Sequence, residues 1–380
     1  MKEVFDIFSE CILVRGYNRS VILDLPRSDH HFIPNELYQI LNENKRLTTK
    51  KELLAQYNEQ DAVVINSYFE YLEQKDIIFD TDTAWCSALA DLNCVHENPA
   101  LLSNIIFFAT PRNLSLLQQV VDQTQKLGAK HYQIISNEPI CLEELDKICS
   151  LFIDTSALTI ELLIQYDTTN KVSLDKVREF VSAHRRIKYL IYHTAHKSVS
   201  FNSNDKKDLG NYGLTAQTFS SNNLERFFVK DHLNCRTELY LESLSYNTYF
   251  NGKIFVDEVG NIKNAPHTKQ IHGNIEENNL PEVVSSADFK QLGLIRKDMI
   301  DVCKDCELRY MCVDGRQPLQ RQDGTWYLEK ECDYNPYISR WSDEPGYKTL
   351  KGSGIECTSN KFLIDHSKVE KLNALLWDNN

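Results

Sequence analysis

The chain has 380 residues, 42% of them hydrophobic and 25% charged, with a net charge of −12. This length supports two or three domains with real cores, and the composition is that of an ordinary globular protein. The acidic balance lacks the clustered Lys and Arg excess of a nucleic-acid-binding face. No apolar run approaches the roughly 20 residues of a membrane span. The N-terminal MKEVFDIFSE has no apolar signal-peptide core. The expectation is therefore a cytoplasmic protein with neither a nucleic-acid nor a membrane partner.

Residues 1–80 read as a small β-then-α unit. Cys11–Val14, Ser20–Asp24 and His31–Ile33 have the character of strands, with Arg15–Asn18 as a turn between the first two. Pro34 and Asn35 open a helix through Leu37, Ile40 and Leu41, and Thr48 or Thr49 caps a second at Leu53 and Leu54. Val63, Val64, Tyr68, Tyr71 and Leu72 give the stripe of a third, and Ile77–Phe79 closes the unit. Three strands followed by three helices is a winged-helix layout.

Residues 81 to about 100 show no periodicity and read as a linker. From Asn104 strands and helices alternate. Ile105–Phe108, Tyr132–Ile135, Leu158–Ile164 and Tyr189–Tyr192 are strands; Leu114–Leu127, Leu142–Phe152 and Leu174–His184 are helices. Strands spaced by helices of this length predict βαβ units and a parallel sheet. They are too few for a full eight-stranded barrel, so 81–232 reads as a partial β/α barrel. His193 and His196 follow a strand end, where α/β folds place function, but read better as incidental histidines of a polar loop. Glu161, Asp257 and Glu258 have no partner visible in the sequence and receive no role. There is no Walker motif and no G-x-G-x-x-G, hence no ATP site.

The region 233–380 changes texture. Tyr246–Val256 and Asp257–Ile262 predict a hairpin turning at Gly260-Asn261. Pro281–Leu292 predicts a helix, and Val369–Trp377 a last amphipathic one. Eleven cysteines are many for a reducing compartment, where structural disulfides are rare. Cys11, Cys86, Cys94, Cys141 and Cys149 are scattered, and most read as small core residues. Cys303, Cys306 and Cys312 fall within ten residues, with Cys332 downstream. Two thiolates separated by two residues sit on one tight turn and aim at one centre, and two more complete a tetrahedral shell. Zinc and iron–sulfur clusters both accept four thiolates, and spacing alone does not separate them.

Cys303-Lys-Asp-Cys306-Glu-Leu-Arg-Tyr-Met-Cys312 resembles the core of a SPASM domain, the auxiliary-cluster domain of many radical S-adenosylmethionine peptide maturases. That core runs C-x2-C-x5-C-x3-C. The first three positions match; the fourth falls on Arg316. The resemblance implies one [4Fe–4S] cluster on Cys303, Cys306, Cys312 and Cys332. A second cluster is not expected, although Cys235 remains upstream as a possible additional ligand. Arg15-Gly-Tyr-Asn-Arg-Ser20, Gly273-Asn-Ile275 and Cys332-Asp-Tyr-Asn-Pro336 narrow the resemblance to the grasp-with-spasm peptide maturases, over nearly the whole chain. This implies a ribosomally made precursor peptide and an ATP-grasp ligase as partners. The C-x3-C-x2-C triplet that anchors a radical S-adenosylmethionine cluster is missing from these residues, so no S-adenosylmethionine is expected and the chain's own catalysis is in doubt.

The expected architecture is thus α/β in three parts: a winged-helix peptide-recognition domain (1–80), a degenerate radical-SAM-like partial barrel (81–232) and a SPASM domain (233–380). Residues 1–80 resemble the peptide chaperone of pyrroloquinoline quinone biosynthesis. This implies leader-peptide capture on an open strand edge at His31, Phe32 and Ile33, with Tyr68 and Leu72 on the facing helix. The alternatives are a cluster-dependent redox or radical peptide-modifying enzyme and a zinc-stapled scaffold.

Overall fold

A computed structural model describes residues 3–86, 88–98, 100–201, 210–219 and 233–377. The contacts gather the chain into two compact units: Met1–His96 with Phe227–Thr248 and Ile295–Asn380, and Glu97–Arg226 with Tyr249–Leu294. The expected domain boundary at 232 lies outside the described residues.

The first unit begins with β1 (Glu3–Ile7), a strand that the sequence reading missed. Strands β2 (Cys11–Arg15), β3 (Ser20–Asp24) and β4 (Asp29–Ile33) then form an antiparallel sheet in that order. Every residue of β3 is buried, as befits the central strand, and β4 pairs only with β3 among the described residues. Helices α1 (Asn35–Asn44), α2 (Lys50–Leu54) and α3 (Glu59–Gln74) follow. Thr49 and Glu52 form a reciprocal capping box on α2, satisfying donors that the helix start would leave free. The chain returns as β5 (Ile78–Asp82), which pairs antiparallel with β1. Phe5, Ile22, Leu41, Leu53, Phe69 and Leu72 are the centre of this core. Residues 83–86 form a one-turn helix, α4 (Thr83–Cys86), at the start of the expected linker.

The second unit is a nine-stranded, mostly parallel sheet. It is built from β6 (Asn104–Phe108), β7 (His131–Ser136), β8 (Thr159–Gln165), β9 (Ile187–His193), β10 (Val199–Phe201) and β11 (Asn211–Leu214). Helices α5 (Leu114–Thr124), α6 (Leu142–Ser150) and α7 (Leu174–Ala183) connect its parallel strands. After α8 (Thr237–Ser243), a helix of the first unit, β12 (Lys253–Val256) adds parallel to β6. β13 (Asn261–Lys263) turns back on it antiparallel, as the Gly260-Asn261 signal predicts, and β14 (Gly273–Asn274) ends that side. The order β10-β11-β9-β8-β7-β6-β12-β13-β14 is an open sheet with antiparallel edges. The helix expected over Pro281–Leu292 is two: α9 (Leu280–Ser285) and α10 (Ala287–Leu294), parted by extended backbone at Ser286. Leu117, Val120, Ile134, Leu145, Leu162, Val177 and Leu190 pack between sheet and helices.

One further correction concerns the scattered cysteines. Only Cys11 and Cys149 of the five scattered ones are buried; Cys94 and Cys141 are exposed. Cys141 is the N-cap of α6, a position that faces solvent because the helix core begins after it. No helix among the described residues is long and apolar enough to cross a membrane.

His193, at the end of β9, is a satisfied interior histidine. Its Nε2 lies 2.9 Å from the Ser136 carbonyl, so that nitrogen carries the proton, and Nδ1 lies 2.9 Å from Thr194 Oγ1. Burial lowers its pKa below the ordinary 6.5. The unfolded chain therefore binds this proton more readily than the folded one. The associated stability is present above the ordinary histidine value and is lost as pH falls through it. The urea midpoint is expected to fall between pH 7.5 and pH 5.5, and to fall less in His193→Gln, which keeps the donor to Ser136. Identical pH slopes in the two proteins would contradict this.

Candidate metal centre

After α10 the chain returns to the first unit and becomes mostly irregular. A 3-10 turn over Cys303–Asp305 brings the Cys306 N–H onto the Cys303 carbonyl at 3.1 Å, so both thiols of the C-x2-C pair sit on one tight loop. Val302, just before it, has φ of 70°, a left-handed backbone rare for a β-branched residue. A second 3-10 turn, Arg309–Met311, delivers Cys312. Leu308 and Met311 point the other way, buried with Val14, Val21, Leu23 and Tyr240, and pin the loop to the sheet. Short ribbons follow: β15 (Leu319–Gln320) with β16 (Trp326–Tyr327), and β17 (Tyr334–Asn335) with β18 (Arg340–Trp341). Cys332 precedes β17. Beyond lie α11 (Leu350–Ser353), the hairpin β19 (Ile355–Cys357) and β20 (Phe362–Ile364), and α12 (His366–Trp377), which begins earlier than its apolar stripe suggests.

Cys303, Cys306, Cys312 and Cys332 all line one pocket, which Lys297, Arg316 and Cys357 also face. The charges around it are unusual. Lys297 Nζ donates to the Asp314 carbonyl at 3.2 Å and lies 3.3 Å from its Oδ2, while Arg316 Nε donates to Oδ2 at 2.9 Å. Arg316 Nη1 donates to the Lys330 carbonyl at 2.7 Å. The side chains of Lys297, Asp314 and Arg316 are 4%, 0% and 6% exposed. Two interior cations thus share one carboxylate. A buried excess of positive charge is costly unless an anion faces it. Burial pushes the Cys303 thiol up to about 11, against the pull of Lys297 and Arg316. It also raises Cys306, Cys312 and Cys332. Thiols so placed ionise when a metal takes the proton's place.

The donor set fits a thiolate-held centre: four thiolates around a dipositive core carry net negative charge, and Lys297 and Arg316 supply the opposite sign. Among the described residues, no three His, Cys, Asp or Glu are gathered closely enough to hold one metal ion. Zinc and an iron–sulfur cluster both accept four thiolates.

Cys235 is buried in the apolar group with Val14, Val21 and Leu23, does not line the pocket, and has its thiol pushed up to about 12 by burial. On β4, Phe32 is exposed, whereas Ile33 is buried in the core with Leu72; Tyr68 packs partly against that core. His31 is buried, its Nδ1 2.8 Å from the Tyr71 hydroxyl. Sequence reasoning missed Lys297 and Asp314, and read Tyr71 only as part of a helical stripe. It flagged Arg316 only as an absent cysteine, although a cation in that register was itself a signal.

The sequence matches no known family model and no curated protein. Among solved structures the chain is similar to SuiB of Streptococcus suis. Bound to S-adenosylmethionine, that protein is 10% identical at a TM-score of 0.31, over 81% of this chain and 94% of that one. Bound to its precursor peptide SuiA, it is 9% identical at 0.30 over the same shares. A heterocyclase in complex with substrate and cofactor is 12% identical at 0.18, over 39% of this chain; the chain spans about a fifth (22%) of the heterocyclase's length.

Asp314 is the only carboxylate bonded to both Lys297 and Arg316 among the described residues. Asp314→Ala is expected to destabilise the protein by about 3–5 kcal/mol, the cost of leaving buried charge unpaired. Urea unfolding measures it, and a loss under about 1 kcal/mol would contradict the arrangement.

Proposed function

We propose that this chain is a maturation factor for a ribosomally made peptide. It holds one [4Fe–4S] cluster on Cys303, Cys306, Cys312 and Cys332 and presents the precursor to an ATP-grasp ligase. The observation that carries the reading is the convergence of four cysteines and two buried cations on one pocket, in the same compact unit as a three-stranded sheet with an open edge. The family resemblance of the motifs supplies the ligase, the SPASM assignment and the partial radical-SAM-like barrel. When bound, the cluster would tie the irregular loops 303–332 together and offer a one-electron redox centre. The chain's own residues do the rest: Lys297 and Arg316 neutralise the thiolates, and the 3-10 turns aim them.

Leader capture belongs to β4. An edge strand leaves one row of backbone N–H and C=O groups for an extended peptide to pair with. The exposed Phe32, with Tyr71 on α3, gives the side-chain surface beside it, whereas Leu72 and Ile33 contribute from the core. The test is to titrate a labelled synthetic leader, from the precursor encoded beside this chain, into the full protein and into Phe32→Pro. Proline removes one backbone donor. Binding is expected to weaken about tenfold in the variant while iron content stays unchanged. Equal binding would place recognition elsewhere.

Without a C-x3-C-x2-C triplet in these residues, the chain is expected not to cleave S-adenosylmethionine. Formation of 5′-deoxyadenosine by the reduced protein above a protein-free control would contradict this.

A further inference from the structure

Arg19 sits in the turn between β2 and β3 and touches two parts of the first unit at once. On one side its guanidinium carbon lies 3.5 Å from the centre of the Phe32 ring, the exposed residue of the edge strand. On the other, its Nε donates to Glu307 Oε1 at 2.8 Å, and its Nη2 donates to the Tyr334 hydroxyl at 3.2 Å. The Tyr334 hydroxyl in turn donates to Glu307 Oε1. Glu307 directly follows Cys306, and Tyr334 lies two residues after Cys332.

Glu307 is fully buried, and its Oε2 has no hydrogen-bond partner among the described residues. Among the described residues its ion-pair partner is Arg19, whose side chain is still 20% exposed. An interior carboxylate beside a thiolate ligand disfavours any further negative charge there, including an added electron. How firmly Arg19 sits on Glu307 therefore sets the potential felt at Cys306. What holds Arg19 down from the solvent side is the Phe32 ring, a cation–π contact on an open strand edge.

We propose that Arg19 is a positioning residue that couples the peptide-binding edge to the metal centre: an extended peptide that moves Phe32 off Arg19 loosens the Arg19–Glu307 pair and lowers the centre's reduction potential. This rests on the cluster and leader reading above. The coupling runs both ways, so the charge state of the centre also biases the edge. Thr or Lys in place of Phe32 would leave the pair uncovered, which makes an aromatic residue there part of the device and not only of peptide recognition.

The test is a double-mutant cycle read on the anaerobically purified protein by potentiometric titration and visible circular dichroism. Phe32→Ala and Arg19→Met are each expected to shift the midpoint potential downward and change the dichroism, at unchanged iron content. In the double variant Phe32→Ala should add nothing to Arg19→Met, because the path is already cut. If Arg19→Met does not fold, Arg19→Lys replaces it: the charge is kept but the planar stack is lost, and Phe32→Ala should again have little further effect. An unshifted Phe32→Ala protein, or two shifts that add, would overturn the coupling and leave the cluster reading intact. A wild-type protein without iron and sulfide would overturn the cluster reading itself, and the coupling with it.

Discussion

A Cβ on Gly16 would stand 2.8 Å from the Cβ of Glu307 and 2.9 Å from its backbone nitrogen. That near-contact marks the constraint on which the first unit depends: the β2–β3 turn is pressed against the cysteine-bearing loop, almost three hundred residues on. Each residue of the turn contributes. The Arg15 carbonyl accepts from Arg309 Nη1 at 2.7 Å, and Tyr17 N–H donates to the Asp305 carbonyl at 2.8 Å. Tyr17 packs edge-on against Tyr337, Asn18 Nδ2 donates to Ser339 Oγ, and Arg19 takes Glu307. Asn35, at the head of α1, donates back to the Tyr17 carbonyl at 2.9 Å and fixes the turn to the helix that follows. Loops 303–312 and 332–339 contain little regular structure, so their shape comes from these bonds and from Leu308 and Met311.

The same constraint explains how the edge strand β4 and the four-cysteine pocket come to share one compact unit although their sequences lie at opposite ends of the chain. The cysteine loops have little regular structure of their own, and the binding free energy of a metal centre would be folding free energy in such a region. In the buried Lys297–Asp314–Arg316 group one carboxylate faces two cations, and the pocket beside it is also lined by Asp301, Glu329 and Glu331. The second unit has a different logic, an apolar parallel sheet that buries itself against helices and needs no metal to do so.

Much of this was legible in the sequence. The apolar runs at 105–108, 132–135, 158–164 and 189–192, spaced by helices, read as parallel strands, and the order of three strands and three helices at 11–74 follows from alternation, caps and stripe. That the four cysteines would line one pocket was legible because the spacing of the first three is local. What escaped was nonlocal. β1 is a strand because β5 lies beside it, not because Glu3–Ile7 alternates. The return of residues 253–263 to the sheet begun at Asn104 is a pairing across the chain that no local pattern announces. The break at Ser286 sits in a segment whose apolar spacing continues through it. Arg15–Ser20 was recognisable as a motif, but its role is written in Glu307, Asp305 and Ser339, far away in sequence.

The central claim is that these cysteines hold an iron–sulfur cluster. The most direct measurement is iron and acid-labile sulfide per chain after anaerobic purification, alongside zinc. The account predicts about four iron and four sulfide per chain, both lost together in Cys306→Ser. Stoichiometric zinc without sulfide, or a full complement of iron in the Cys306→Ser protein, would contradict it.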